Sequence, residues 1–128
     1  MTLIDTHAHI YYEDYTECLD EIIQVAAENG VEKIITVGVD LHSSEECVKL
    51  AEKYSTVFAT CGYHPHEAGK APKGYLYELE QFYKHPKVVA VGEIGLDYHY
   101  NFSDSKIQNR AYREQLEMAK ALELPAVV

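Results

Sequence analysis

The sequence contains no tryptophan, only three cysteines, and no apolar run long enough to cross a bilayer. Cys18, Cys47 and Cys61 are odd in number and lack a C-x-x-C spacing, which argues against a disulfide framework or a zinc knuckle. We expect reduced thiols that serve in packing. No basic region followed by an apolar stretch opens the sequence, so we expect no secretory signal, no membrane association and a cytoplasmic location.

Positive charge is also scarce. The sequence has 11 lysines and arginines against 21 aspartates and glutamates, for a formal net charge of −10. A chain of this kind repels a phosphate backbone as a whole and offers no basic patch for binding by counterion release. Any nucleic-acid substrate would therefore need bound cations at its site.

Apolar runs alternate with amphipathic segments at intervals of roughly thirty residues, the length of a βαβ unit. The last of these amphipathic segments predicts a helix with Tyr112, Leu116, Ala119 and Leu122 on one face. Ser43 and Glu46 have the spacing of a capping box at the start of the second long helix. The predicted strands are residues 2–6, VEKIITVGV (31–39), TVFATCG (56–62), KVVAVGEIG (87–95) and LPAVV (124–128). The alternation indicates parallel strands covered by helices, which fits either a doubly wound sheet or a barrel.

In both architectures ligands bind at the carboxyl ends of the strands, where this sequence is rich in histidines and carboxylates. His7 and His9 lie on one face of an extended segment, because side chains alternate with period two, so both imidazoles can reach one cation. Glu93 adds a carboxylate from a separate strand, which makes these three residues candidate metal ligands. Alternatively, His-x-His is simply a polar strand end. Asp5 is expected to orient a ligand or to be a hydrogen-bonded buried carboxylate.

The loops after the third and fourth strands supply further candidates. In GYHPHEAG (62–69), His64 is a candidate catalytic and substrate-binding residue, since a histidine beside a metal can orient a phosphate or an attacking water. His66 is either a second substrate-binding residue or an ordinary polar residue of the loop, and the sequence favours neither. Tyr98 and Tyr100 line a substrate cleft or, alternatively, form a hydrophobic lid over the strand ends. His42 is expected to be a solvated side chain.

Four segments in order, IDTHAH (4–9), GYHPH (62–66), VGEIGLDYH (91–99) and NRAYREQLEMAKALELPAVV (109–128), resemble the TatD family of metal-dependent deoxyribonucleases across the whole chain. The resemblance implies a TIM-type (β/α) barrel that hydrolyses phosphodiester bonds in DNA. It implies one or two divalent metal ions as cofactors, zinc, manganese, magnesium or nickel. It also implies metal ligands at His7, His9 and Glu93, with Glu93 catalytic as well, a phosphate contact at His64, and substrate binding by His66, Asp97 and Tyr98.

The sequence departs from the family in its extent. Members continue after the PAVV segment with two further histidines and an aspartate on later strands, and none of these is present here. Residues 1–128 therefore resemble a partial barrel domain, the N-terminal half, with about four βα units plus a fifth strand. We expect the chain alone to be inactive, and a missing C-terminal half or a complementary chain to complete the barrel.

Two other hypotheses stay open from the sequence. The chain could be a non-catalytic half-barrel that serves as a binding or scaffold module. Alternatively, it could belong to an amidohydrolase-like enzyme with another substrate, since related barrels hydrolyse amides and lactones.

Overall fold

Four parallel strands form one sheet in the order β1-β2-β3-β4, and helices alternate with the strands along the chain. The computed structural model describes residues 2–128. The strands are β1 (Leu3–Ala8), β2 (Val31–Val37), β3 (Val57–Cys61) and β4 (Val88–Val91). The helices are α1 (Leu19–Glu28), α2 (Leu41–Lys53), α3 (Tyr75–Phe82) and α4 (Ser105–Ala121), with short 3₁₀ turns at Glu13–Tyr15 and Ala68–Lys70. The predicted alternation of parallel strands with helices is confirmed. Within residues 2–128, no helix has the length and hydropathy that a membrane span requires.

The N-cap of helix α2 lies three residues before the predicted cap at Ser43. Asp40 is the N-cap: its carboxylate accepts from the Ser43 backbone N–H at 2.8 Å, and the Ser43 hydroxyl accepts from the Asp40 N–H at 3.0 Å. The predicted capping pair of Ser43 and Glu46 was therefore wrong. The reason is that Asp40 offers a carboxylate, and Ser43 completes the reciprocal pair as the third helical residue.

The core lies between the sheet and helices α2 and α3. Cys47 and Ala51 of α2, Leu79 of α3 and Val57 of β3 are fully buried in one cluster. Cys61 lies in the same cluster, so two of the three free thiols serve in packing, as expected.

Helix α4 buries a face that matches the predicted one only in part. Its buried residues are Gln108, Ala111, Gln115 and Ala119. Of the predicted apolar face, Ala119 is buried, Tyr112 and Leu116 pack partly against it, and Leu122 is exposed. Gln108 and Gln115 are buried because their side chains form hydrogen bonds with backbone groups of neighbouring loops.

The predicted fifth strand is reduced to one parallel bridge between Val91 and Ala126. The Val91 N–H donates to the Pro125 carbonyl and the Val127 N–H donates to the Val91 carbonyl, both at 2.9 Å. Directly after Val91, Gly92 has φ 152°, in the left-handed region, so β4 ends there. Because β4 is so short, residues 124–128 pair with it at one bridge and do not form a regular ladder of hydrogen bonds.

Strand β1 pairs with β2 on one side only, and Leu3 and Ile4 are exposed. A closed barrel has no such edge. The architecture is an open half-barrel, with the carboxyl ends of its strands gathered on one face.

Candidate metal centre

Close backbone approach between two glycines brings the ends of β3 and β4 together. A Cβ atom on Gly62 would lie 2.8 Å from the backbone of Gly92, so neither strand end has room for a side chain at this point. The Gly92 N–H donates to the Cys61 carbonyl at 2.8 Å, and the Glu93 N–H donates to the Gly38 carbonyl at 2.9 Å. Glu93 is thereby fixed where three strand ends meet.

Three predicted ligands converge at this point. The Nε2 atom of His7 lies 3.3 Å from Oε2 of Glu93, and that of His9 lies 3.9 Å from the same oxygen. One ligand atom from each residue lies within 4.8 Å of the others, a spacing that could hold a metal ion. We name this group the histidine–glutamate cluster. It lines an open pocket of about 380 Å³ that also includes His64 and His66.

The imidazole of His9 is held in one tautomer. Its Nδ1 lies 3.0 Å from the Val37 carbonyl, which can only accept a hydrogen bond, so Nδ1 carries the proton. In the neutral ring, Nε2 therefore carries the lone pair, and this atom lies 3.9 Å from Oε2 of Glu93. Tyr12 stacks on the ring at a centroid distance of 5.6 Å, which fixes the plane of the imidazole.

His64 is held in the opposite tautomer. The backbone N–H of His66 donates to its Nδ1 at 3.2 Å, so a neutral His64 carries its proton on Nε2. That Nε2 atom lies 3.7 Å from Oε1 of Glu93. Burial lowers the pKa of His64, and the negative charge of Glu93 opposes this only in part. His64 therefore presents an N–H donor to the pocket.

His66 and Asp97 form a close pair, with Nε2 of His66 2.5 Å from Oδ2 of Asp97. The hydrogen bond from His66 lowers the pKa of the Asp97 carboxyl, and backbone N–H groups that donate to it act in the same direction. The other carboxylate oxygen, Oδ1, accepts from the N–H groups of His99 and Tyr100 at 3.0 and 3.1 Å. Asp97 thus ties the loop after β3 to the loop after β4.

Three buried polar residues that the sequence did not single out support these loops. Gln115 accepts from the Tyr63 N–H at 2.7 Å and donates to the Tyr63 carbonyl at 3.1 Å. Gln108 does the same for the backbone of Asp97, at 2.8 and 3.0 Å. Ser103 accepts from Gly69 and donates to the His66 carbonyl at 3.0 Å. Gln108 and Gln115 are seven residues apart, so they lie on one face of α4, and the other buried residues of that face are alanines. This spacing could have indicated from the sequence that the two glutamines are buried.

The structure separates two predicted residues from the pocket. Asp5 is exposed rather than buried, and its Oδ1 accepts from the backbone N–H of His7 at 3.0 Å, so it contacts the His7 main chain and not its ring. Tyr98 lies outside the pocket that the histidines line. It borders a separate polar groove with Lys106 and Asn109.

A second group with metal-ligand chemistry lies on α2, made of His42, Glu45 and Glu46. The Lys49 ammonium already pairs with Glu45 at 3.3 Å and with Glu46 at 2.9 Å. His42 is exposed, as predicted. By contrast, within residues 2–128 Glu93 contacts histidines and no lysine or arginine.

Comparison with known proteins places the chain in a family. The family model described as TatD related DNase matches residues 4–128. An uncharacterised metal-dependent hydrolase from Bacillus subtilis (strain 168) is 37% identical over 126 residues, which cover 98% of this chain and 49% of the relative. A 3'-5' ssDNA/RNA exonuclease TatD from Escherichia coli (strain K12) is 31% identical over 123 residues, covering 96% of this chain and 47% of the relative.

Solved structures agree with this placement. The crystal structure of a TatD homologue from Escherichia coli K12 superimposes with a TM-score of 0.86 at 36% identity, over 97% of this chain and 49% of that one. The chain spans about half the length of the curated relatives it matches. The predicted fold, the N-terminal half of a TatD-type barrel, is confirmed.

Proposed function

The chain belongs to the TatD-related DNase family, and from this premise we propose that it carries half of the active site of a metal-dependent nuclease that hydrolyses phosphodiester bonds in single-stranded DNA. The observation that carries the proposal is the convergence of His7, His9 and Glu93 from two strand ends, with His64 facing the same carboxylate. The names of two relatives, a metal-dependent hydrolase and an ssDNA/RNA exonuclease, support the proposal of a metal-dependent nuclease.

The donor set suits a divalent cation. His9 presents a lone pair because Val37 holds its other ring nitrogen, and a carboxylate faces both imidazoles. Imidazole combined with carboxylate accepts zinc, manganese or nickel, and a carboxylate with open positions accepts magnesium. His7, His9 and Glu93 are the residues that would hold the cation. When bound, such a cation lowers the pKa of a water ligand and neutralises the charge of a phosphate.

Glu93 and His64 have different roles in the proposed reaction. One carboxylate oxygen of Glu93 faces His7 and His9, and the other faces His64. The carboxylate can therefore accept a proton from a group bound between these histidines. His64 points its Nε2–H into the pocket, where a non-bridging phosphate oxygen would accept it. Since burial keeps the pKa of His64 low, the residue serves as a neutral hydrogen-bond donor.

Charge supports a strict need for the cation. The chain carries a net charge of −10, and the pocket includes two carboxylates, Glu67 and Glu93. A phosphodiester would be repelled from this pocket unless positive charge were bound there. We further propose that residues from the other half of the barrel complete the set of ligands, because the relatives are about twice as long.

The test is hydrolysis of a 5'-labelled single-stranded DNA oligonucleotide by the native protein with Mg²⁺ or Mn²⁺ added. We expect stepwise shortening that EDTA abolishes and excess metal restores. The same preparation is offered a duplex, a carboxamide and a lactone. Turnover of the amide or lactone without any DNA cleavage would instead identify an amidohydrolase. A defined, metal-free oligomer without hydrolytic activity would identify a scaffold module.

A further inference from the structure

We propose that Tyr100 and Phe102 form a stacking platform for a nucleobase next to the metal centre, and that this platform makes the enzyme select single-stranded substrates. The inference rests on the proposed function. It adds a binding site for the base to a centre that otherwise contacts only phosphate.

The two rings have the geometry of a platform. They lie parallel, with an interplanar angle of 5° and a centroid distance of 5.6 Å, which is an offset arrangement that leaves part of each face free. Their side chains are among the most exposed hydrophobic groups of the chain, at 63% for Tyr100 and 69% for Phe102. Two adjacent exposed aromatic rings form an apolar patch of the kind that marks an interaction site. Aromatic faces are also what unpaired nucleobases stack on.

The platform is continuous with the metal centre. The ring of His66 meets Phe102 edge-to-face at a centroid distance of 4.8 Å, and meets Tyr100 at 6.0 Å. On its other side, His66 lies 4.4 Å from the His64 ring, whose Nε2 reaches Glu93. A run of ring contacts through His64 and His66 therefore links Glu93 to the two aromatic rings.

The segment that carries the platform is held in place without substrate. Asp97 accepts from the Tyr100 N–H at 3.1 Å, and Gln108 donates to the Ser103 carbonyl at 2.8 Å. These two hydrogen bonds fix the residues on either side of Phe102. A preorganised aromatic pair binds a ligand with little loss of conformational entropy.

The surroundings favour nucleic acid over other planar ligands. Tyr98 and Asn101, which are close to Tyr100 along the chain, border a groove together with Lys106 and Asn109. Lys106 lines this groove and supplies a cation in a strongly acidic chain, which suits an anionic ligand such as a phosphate. Stacking tolerates every base, because each has a π-face, but it requires that the base be unpaired and free to leave its neighbours.

The test compares intact and abasic single-stranded oligonucleotides of equal length as substrates of the native, metal-loaded protein. The double variant Tyr100→Leu/Phe102→Leu is expected to lose about tenfold in kcat/KM on intact DNA and nothing on the abasic strand. Tyr77→Leu, which removes an equally exposed tyrosine from α3, serves as the matched control and should change neither rate. Equal losses on both substrates, or no loss on either, would overturn the platform.

A binding measurement separates this outcome from a failure of the proposed function. If the wild-type protein cleaves neither strand, the nuclease proposal fails. The platform is then tested by the fluorescence of an oligonucleotide containing 2-aminopurine, which stacking quenches. Quenching by the wild type that is lost in the double variant but kept in Tyr77→Leu supports the platform. Absence of quenching by the wild type refutes it.

Discussion

His9 donates from Nδ1 to the carbonyl oxygen of Val37 across 3.0 Å, and so turns its Nε2 lone pair toward Glu93. His64 shows the converse arrangement, since its Nδ1 accepts from a backbone N–H and its Nε2 carries the proton. Main-chain atoms thereby hold two histidines, one after β1 and one after β3, in opposite tautomers. In the function that we propose, the first would bind a cation and the second would donate to an anion.

Replacement of His7 by alanine should weaken the binding of Mn²⁺ by at least about tenfold, because it removes a ligand from the histidine–glutamate cluster. The side chain of His7 is 41% exposed and lies outside the core, so the free energy of unfolding should change by no more than about 0.5 kcal/mol. Titration calorimetry measures the affinity and urea unfolding measures the stability. His42→Ala, in the second cluster on α2, is the control and should leave the affinity unchanged; a reversed result would contradict the assignment.

The variant Glu93→Gln should lose about a hundredfold or more in hydrolysis of single-stranded DNA while it still binds the strand. The amide keeps the shape of the side chain but gives up its charge and its capacity to accept a proton. Rates come from labelled oligonucleotides and binding from fluorescence anisotropy. Glu67→Gln changes a carboxylate of the same pocket that already pairs with Lys70 at 2.7 Å, and should retain most activity. An unchanged rate of hydrolysis in Glu93→Gln would show that Glu93 has no catalytic role.

Replacement of Gln115 by leucine should lower the free energy of unfolding by about 1–3 kcal/mol, because the N–H and carbonyl groups of Tyr63 lose their buried partner. The loop that carries His64 follows directly, so hydrolysis should fall as well. Gln24→Leu alters an exposed glutamine on α1 and should change stability by no more than about 0.5 kcal/mol. Similar urea midpoints for both variants would show that the Gln115 contacts contribute nothing.

At pH 8, Ellman's reagent should modify Cys18 of the folded protein but neither Cys47 nor Cys61. Burial raises the pKa of Cys47 to about 12 and raises that of Cys61 as well, so both remain protonated thiols that do not attack. Cys18 is partly exposed. In denaturant all of them should react, since the pKa values return to their ordinary range and the thiolate fraction rises. Equal reaction rates for the three thiols in the folded protein would contradict the burial of Cys47 and Cys61.

Local sequence determined the alternation of strands and helices and the place of His7, His9 and Glu93. Near-continuous apolar runs between amphipathic segments indicate buried parallel strands, and parallel strands bring their carboxyl ends to one edge. A histidine pair two residues apart on such a strand must share a face. These inferences need only neighbours along the chain, which is why they could be made without coordinates.

The tertiary structure alone decided the hydrogen-bond partner of the His9 ring, the burial of Gln108 and Gln115, and the pairing of residues 124–128. Each depends on a partner far away in the chain: Gln115 binds Tyr63 across 52 positions, and His9 binds Val37 across 28. Hydrogen bonds to backbone groups leave no periodic trace in a sequence, because every residue supplies the same N–H and carbonyl. The sequence by itself determined which side chains stand at the strand ends, and long-range packing determined how each of them is held.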